Sequence, residues 1–278
     1  MLSLLISILI SIALFVGLPA AGVNKPTSIF FGIAGFIAAF YLVSFLVRKK
    51  VGKVQKELQD SMLAGQQRMN RKIQQFQSKP GGNIKMIQRQ LESDQQVIYK
   101  EGLEFTQRLE PFKKWSMLMG RQIATMRLQF LYQLKEFSQV DAILAKGGIF
   151  RGPMMMEPMP VAMKMARQYK NKDVPGAEKT FKRYIKWFRN ERGTLLYGVM
   201  TWILVKEGEL DKARELLTKA KDAISNPTFT HNWERLSNDK PKSFSNSGLG
   251  EEWYGLYLEK PPQPKQQRAR RNANARGF

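Results

Sequence analysis

Two long apolar runs begin the sequence, and amphipathic helical patterns follow them. Met1 to Val23 carries no charged side chain, and neither does Thr27 to Val47. At about 1.5 Å of rise per residue, each run is long enough as a helix to cross a hydrocarbon core about 30 Å thick. The polar turn Asn24-Lys25-Pro26 separates the two runs. This pattern predicts a transmembrane helical hairpin over residues 1–47.

Two other interpretations of these runs are weaker. A cleaved signal peptide would need a basic segment before the apolar stretch and a small-x-small cleavage site, and Leu18-Pro19-Ala20 is a poor one. Two buried helices of a soluble core would be expected to show a polar face, which neither run has. We therefore expect both spans to be retained.

Small residues recur on both predicted spans. Ser3, Ser7 and Ser11 are spaced four residues apart, and Gly35 and Ala39 form a small-xxx-small pair. Such stripes allow transmembrane helices to approach closely. They predict either packing of the two spans on each other or docking of the hairpin onto another membrane protein.

An amphipathic stalk follows the second span without a helix breaker. Its apolar or small positions have an 11-residue period, which favours a straight or slightly right-handed helix pair: Val51, Val54, Leu58, Met62, Gly65, Met69, Ile73 and Phe76. We expect the helix to end at Pro80-Gly81-Gly82. A second amphipathic stretch over 84–110 predicts an antiparallel hairpin with 48–79, although the stripe would also suit a partner chain. Residues 48–112 form this juxtamembrane region.

Helical patterns continue beyond residue 112, and one pair of helices is especially clear. Tyr197, Met200, Thr201 and Leu204 lie on its first helix, and Gly208 makes the turn. The second helix carries Ala213, Leu217 and Ala220, and Pro227 closes the unit. The stretch GTLLYGVMTWILVKEGELDKARELLTKAKDAISNP resembles a tetratricopeptide repeat (TPR). Thr201 stands where that family has glycine, and Pro227 comes two residues late.

Similar patterns recur about every 36–37 residues on either side of this pair. Ala177 and Phe181 correspond to Ala213 and Leu217, and Val140 and Leu144 correspond to them one step earlier. The resemblance implies a TPR-like solenoid of stacked helix pairs over 113–258, in which a concave groove binds an extended or helical peptide. A plain helical bundle with an accidental period is the alternative. The groove residues that we expect to contact a partner are Tyr197, Thr201, Leu204 and Trp233.

The charge distribution predicts the orientation of the chain in the membrane. The sequence has 45 Lys and Arg against 23 Asp and Glu, a net charge of +22, yet residues 1–47 contain only Lys25. A basic cluster follows the second span directly: Arg48, Lys49, Lys50, Lys53 and Lys56. The positive-inside rule then places everything after residue 48 in the cytoplasm, on the inner face of the cell membrane. The cluster would also lie against anionic headgroups.

Two further basic regions suit an anionic partner such as RNA or a lipid headgroup. Lys179, Lys182, Arg183 and Lys186 form a stripe on one predicted helix, interleaved with aromatic residues. The stripe suits either a binding surface or the solvated face of a repeat helix whose aromatics are buried. Residues 259–278 form a basic tail that we expect to be disordered, with Arg268, Arg270 and Arg271 as candidate contacts.

The residue content argues against most catalytic and metal chemistry. The chain has no Cys and one His, which excludes disulfide scaffolds, zinc fingers and multi-His metal sites. His231 is more typical of a surface or capping residue, and Gly248-Leu249-Gly250 lacks the context of a nucleotide site. The methionine-rich segment 151–165 suits Cu(I), an adaptable partner surface, or an ordinary loop and core. We expect no enzymatic activity, no cofactor, no metal and no small-molecule substrate.

Together these patterns predict an all-α membrane protein that binds a protein partner. Its parts are a two-pass anchor, an amphipathic stalk, a TPR-like cytoplasmic domain and a basic tail. The expected function is that of a scaffold or assembly factor, or of an accessory subunit of a membrane complex. The alternative is a membrane-tethered protein that binds RNA, a ribosome or anionic lipid.

Overall fold

The structure, a computed structural model, describes residues 2–77, 84–116, 118–146 and 152–261. Within those ranges every regular element is a helix, so the predicted all-α class is confirmed. The chain divides into two compact units, Met1–Pro160 and Val161–Phe278. This division falls inside the predicted 113–258 domain, and it joins the anchor, the stalk and the first predicted helix pair into one unit.

The first unit contains the two apolar helices and three amphipathic ones. Its helices are α1 (Leu2–Ala20), α2 (Lys25–Gln77), α3 (Ile84–Arg108), α4 (Met119–Gln133) and α5 (Phe137–Leu144), with a 3-10 helix at Glu110–Lys114. α1 and α2 are each long and apolar enough to cross a membrane. Because no breaker follows the second apolar run, α2 continues beyond it for a further 30 residues, from Arg48 to Gln77.

α1 packs antiparallel against the apolar half of α2 through small residues. The Ser11 hydroxyl donates a hydrogen bond to the Gly32 carbonyl over 2.9 Å. Gly35 lies against Leu14, where an added Cβ would collide with the leucine side chain. The Ser7 hydroxyl donates to the Ser3 carbonyl. The small residues therefore face inward, and of the two interpretations of the stripes the contacts show packing of the two spans on each other.

The stalk is an antiparallel helix pair. α2 packs along α3, with Gly65 against Ile98 and Val51 and Leu58 buried on the predicted stripe. An ion pair joins Lys72 to Asp94 over 2.5 Å, and another joins Arg108 to Glu57 over 2.7 Å. The predicted breaker at residues 80–82 lies outside the described residues, between the end of α2 and the start of α3.

α4 completes the first unit by packing on α3. Phe130 lies against Gly102, and Arg127 donates to the Thr106 hydroxyl and pairs with Glu110. A small apolar cluster forms where α4 meets the stalk, and it consists of Val51, Leu109, Met119 and Ile123. Its α2 member, Val51, lies just past Arg48, the first charged residue after the apolar run of α2.

The second unit consists of short helices around one central helix. They are α6 (Pro158–Lys170), which begins at the unit boundary, α7 (Val174–Tyr184), α8 (Thr194–Lys206), α9 (Leu210–Ala223), α10 (Pro227–Ser237) and α11 (Glu251–Tyr254). Local sequence sets their ends. Asp173 caps α7 and Asn226 caps α10 by accepting backbone N–H groups, and Gly208 makes the turn from α8 to α9 with φ of +80°.

Candidate functional site

The central helix of the second unit, α8, is the helix on which the predicted groove depends. Nine of its 13 residues are buried. Aromatic contacts surround it: Trp202 lies against Tyr169 of α6 and Trp253 of α11, and Tyr197 lies against Phe181 of α7 and Phe229 of α10. Neighbouring elements of the second unit therefore cover the apolar side chains around α8.

A segment of the chain itself, residues 244–258, covers one face of α8. The Asn246 amide donates to the Gly198 carbonyl over 2.7 Å and accepts from the Asn232 amide over 2.9 Å. Leu249 contacts Gly198 so closely that an added Cβ would collide with it. Trp253 is fully buried, and its indole N–H donates to Glu259. The face of α8 that includes Gly198 is therefore covered by the chain itself.

The four predicted partner-binding residues fall into two pairs. Thr201 and Leu204 are buried core residues, and the Thr201 hydroxyl donates to the carbonyls of Tyr197 and Gly198. Because neighbouring elements enclose α8 at these positions, neither side chain is accessible to a partner. Tyr197 and Trp233 are half-buried and keep accessible surface.

Trp233 belongs to a small surface cluster that we name the α9–α10 patch, formed by Thr218, Lys221 and Trp233. The Trp233 indole N–H donates to the Thr218 hydroxyl over 3.1 Å. The Lys221 ammonium lies 4.1 Å from the centre of the indole ring, a cation–π contact. The patch therefore presents a half-buried indole with an ammonium group over one face of its ring, which suits an apolar side chain flanked by a carboxylate.

Tyr197 lies one layer deeper than the patch. Burial raises the pKa of its phenol, and the charge of Lys219 opposes that rise. An ion pair with Glu215, in turn, raises the pKa of Lys219 and lowers that of Glu215. All of these groups keep their usual charges near neutral pH, so the surface around the patch stays cationic beside a neutral phenol.

The basic stripe lies on the exposed side of α7 and of the 3-10 helix Ile185–Trp187 that follows it. Lys179, Lys182, Arg183 and Lys186 are all exposed, and Lys182 pairs with Glu178 over 3.1 Å. Of the interleaved aromatics, Phe181 and Phe188 are buried and Tyr184 is half-buried. Trp187 is not, since 77% of it is exposed. The stripe thus carries a projecting indole that the alternation of basic and aromatic residues did not reveal.

The methionine-rich segment joins loop and core. The Met154 amide donates to the Thr125 hydroxyl over 2.6 Å within the first unit, and Pro153 is buried. In the second unit Met163 and Met165 are core residues of α6. Met156 is the exposed large apolar residue of the segment. Arg151, which begins the predicted segment, lies outside the described residues.

The single histidine and the Gly248-Leu249-Gly250 motif both lie in structural positions that need no functional explanation. His231 is exposed on α10, and Gly248-Leu249-Gly250 belongs to the segment that covers α8. Among the residues that the structure describes, no three His, Asp or Glu side chains lie close enough together to hold a metal ion. Arg268, Arg270 and Arg271 of the tail lie outside the described ranges.

The covering segment is the functional feature that sequence reasoning missed. Its signal was the run Trp253-Tyr254-Gly255-Leu256-Tyr257-Leu258, which is too apolar for a surface loop. Trp253, Leu256 and Leu258 are indeed buried. No family model, no curated protein and no solved structure matches this chain.

Proposed function

We propose that this protein is a two-pass membrane anchor that holds a helical scaffold at the inner face of the cell membrane, where the scaffold binds a protein partner. It would act as an assembly factor or as an accessory subunit of a membrane complex. The observation that carries the proposal is the inverted packing of the hairpin. Leu9, Phe30 and Tyr41 are about two-thirds exposed, while serine and glycine fill the contact between the helices.

Such packing is stable only where the surroundings are apolar. In water, exposed side chains of this size over two long helices would associate or aggregate. In lipid they are solvated, and helices associate through small residues and hydrogen bonds instead. The basic cluster from Arg48 to Lys56 supports placing the chain after residue 48 on the cytoplasmic side.

The second unit supports the scaffold part of the proposal. α8 packs against α9, α9 packs against α10, and the TPR-like positions Ala213, Leu217 and Ala220 of α9 are fully buried. We infer a TPR-like stack that is closed on the α8 face by residues 244–258. A partner would then bind at the α9–α10 patch, through a segment that places an apolar side chain on Trp233 and a carboxylate on Lys221.

The test is site-specific photocrosslinking of the full-length protein in native membranes. A photoreactive residue at Thr218 should give an adduct of defined mass, and the additional change Trp233→Ala should remove it. His231 provides the matched control, because it is exposed on the same helix but lies about 200° around the axis from Trp233 at about 100° per residue. Equal adducts from both positions, or none from Thr218, would overturn the proposed binding surface.

A deletion then separates anchoring from partner binding. Removing residues 161–278 takes away the second unit along its boundary and leaves the α1–α5 packing intact. We expect this variant to remain in the membrane after alkaline carbonate extraction and to lose the partner. Release from the membrane would refute the anchor, whereas retention of the partner would refute the role of the second unit.

The basic stripe favours the second candidate function, binding of RNA, a ribosome or anionic lipid. The observation behind it is Trp187, whose indole projects between Lys186 and Arg189. Binding of this kind releases counterions and falls steeply with salt. If it is the function, charge reversal of Lys182 and Lys186 or removal of residues 262–278 should weaken binding of the full-length protein to RNA or anionic vesicles and reduce the salt slope.

A further inference from the structure

A cavity of about 680 Å³ lies in the first unit at the level where α2 changes from apolar to charged. Its apolar wall includes Leu4, Leu5 and Phe40, which are exposed side chains of the two spans. Its remaining walls come from the start of the stalk and from the segment before α4. The cavity therefore begins at the surface that would face lipid and ends where the water-facing part of the chain begins.

Part of the cavity lining is polar, and it carries one cation, the exposed Arg48. The polar lining residues are Ser3, Ser44, Arg48, Gln55, Trp115, Ser116 and Gln122. No Asp or Glu is among the lining residues, and Arg48 makes no ion pair with any residue that the structure describes. A guanidinium group with free donors in such a setting suits a phosphate, which it can bind through two parallel hydrogen bonds.

The depth of the cavity matches the membrane interface. The Ser3 hydroxyl donates to the Trp115 carbonyl over 2.9 Å, which fixes the first turn of α1 to the segment that carries the indole. Tryptophan is enriched at the headgroup level of membranes. Arg48 is the first charged residue after the second apolar run. A ligand in the cavity would thus have its polar part at headgroup depth.

We propose that this cavity binds one anionic glycerophospholipid, with the phosphate on Arg48 and the acyl chains leaving along Leu4, Leu5 and Phe40. The volume lies in the range of small-molecule sites, about 300–1,000 Å³, and accommodates a phosphoglycerol headgroup. Lys49, Lys50 and Lys53, which follow in the sequence, add a positive potential that favours anionic over zwitterionic lipid. This inference rests on the proposed membrane anchoring.

The test measures retention of lipid by the full-length protein in detergent micelles, with native mass spectrometry as the readout. Phosphatidylglycerol, phosphatidylcholine and water-soluble glycerol 3-phosphate are added separately. We expect one phosphatidylglycerol per chain to be retained at least tenfold more strongly than phosphatidylcholine. Glycerol 3-phosphate should not bind at the same concentration, because it lacks the acyl chains that the apolar wall would hold.

Two variants and a matched control locate the site. Arg48→Gln should lower the retention of phosphatidylglycerol at least tenfold, and Ser44→Phe should lower it by filling the cavity while keeping every cation. Arg71→Gln removes the same charge farther along α2, at an exposed position outside the cavity lining, and should leave retention within about twofold. Equal losses in Arg48→Gln and Arg71→Gln, unchanged retention in Ser44→Phe, or equal retention of both lipids would overturn the proposal.

Membrane extraction distinguishes a failure of the lipid-site proposal from a failure of the anchoring proposal. If the wild-type chain resists carbonate extraction but shows no selective lipid, the cavity proposal alone is wrong. If the chain is extracted as a soluble protein, the anchoring on which both proposals rest is wrong. Glycerol 3-phosphate binding as strongly as the lipid would identify a site for soluble phosphate esters and would also overturn the lipid proposal.

Discussion

Helices α1 and α8 are both apolar on every side, but they are covered in opposite ways. In α8 the buried residues include Leu196, Val199 and Ile203, and other parts of the second unit surround them. In α1 the buried residues are Ser3 and Ser7, while the large aliphatic side chains face outward. A strongly apolar sequence thus belongs to a core helix in one unit and to a candidate membrane span in the other.

The two helices differ in where their apolar side chains find cover. α6, α7, α9, α10 and residues 244–258 cover α8, whereas most large side chains of α1 stay uncovered by the part of the chain that the structure describes. Within a bilayer no hydrophobic force drives two spans together, so close approach at small residues replaces burial of large ones. Four predictions follow from this contrast, beginning with the largest expected effect.

Removing apolar volume should destabilise the protein at α8 and not at α1. Ile203→Ala, at a position with no exposed surface, should lower the free energy of unfolding of the second unit by about 2–5 kcal/mol. Ile12→Ala on the outer side of α1 should leave it unchanged. Urea unfolding of the full-length protein in detergent, followed by tryptophan fluorescence, measures this, because four of the five tryptophans lie in the second unit. Equal effects of the two changes would contradict the contrast.

The cover over α8 should depend on Asn246. Asn246→Ala leaves the Gly198 carbonyl and the Asn232 amide without this hydrogen-bond partner. We expect the free energy of unfolding to fall by about 1–3 kcal/mol. Hydrogen exchange of residues 244–258 should become faster in this variant. Ser247→Ala, at an exposed neighbouring position, is the control. Unchanged exchange in Asn246→Ala would mean that other contacts hold the segment.

The hairpin can be tested by disulfide formation, because the chain contains no cysteine. A Cβ at Gly32 would lie 3.6 Å from the Phe15 Cβ, a separation that a disulfide accepts. The pair Phe15→Cys and Gly32→Cys should therefore oxidise within one chain, with little effect on stability. The outward-facing pair Ile12→Cys and Ile33→Cys should not. Crosslinking of the outward pair alone, read from electrophoretic mobility, would refute the packing of α1 on α2.

The smallest effect concerns Lys164, a half-buried lysine of α6. Burial, with a contribution from the charge of Arg183, lowers the pKa of its ammonium below the usual 10.5. Between the lowered pKa and 10.5 the unfolded chain binds more protons than the folded one, so stability rises with pH in that window. Lys164→Met should remove this rise in thermal unfolding measured up to pH 10. Burial raises the pKa of Tyr169 and Tyr197 above the usual 10.0, so these residues lower the free energy of unfolding only above about pH 10. If stability rose with pH to the same extent in Lys164→Met, the assignment of that rise to Lys164 would be wrong.

Periodicity predicted the helices well, because their signals are local. The limits of α1, the length of α2 and the pairing of α2 with α3 follow from unbroken apolar or amphipathic runs and from the residues that interrupt them. The turn at Gly208 and the caps at Asp173 and Asn226 are likewise local. The buried positions Ala213, Leu217 and Ala220 were readable from their spacing on one face of α9.

Periodicity did not predict in the same way which side chains are exposed at the surface. Thr201 and Leu204 lie on the face of α8 that a repeat pattern assigns to a groove, but residues about 45 positions later fold over that helix. Trp187 has the same spacing as its buried neighbours, yet it falls in a 3-10 helix after α7 ends, and its side chain turns outward. Both outcomes depend on contacts between distant parts of the chain, which periodicity does not report.

The length of α2 has a mechanical consequence. From Arg48 to Gln77 the helix extends about 45 Å beyond the apolar run, at about 1.5 Å per residue. A span tilts when its apolar length exceeds the local thickness of the bilayer. Because α2 has no break between the two parts, a tilt of about 10° would displace its far end by about 8 Å, the sine of that angle times the length. With its apolar part in a bilayer, α2 would thus act as a lever that converts the thickness of the membrane into a position of the far end of the stalk.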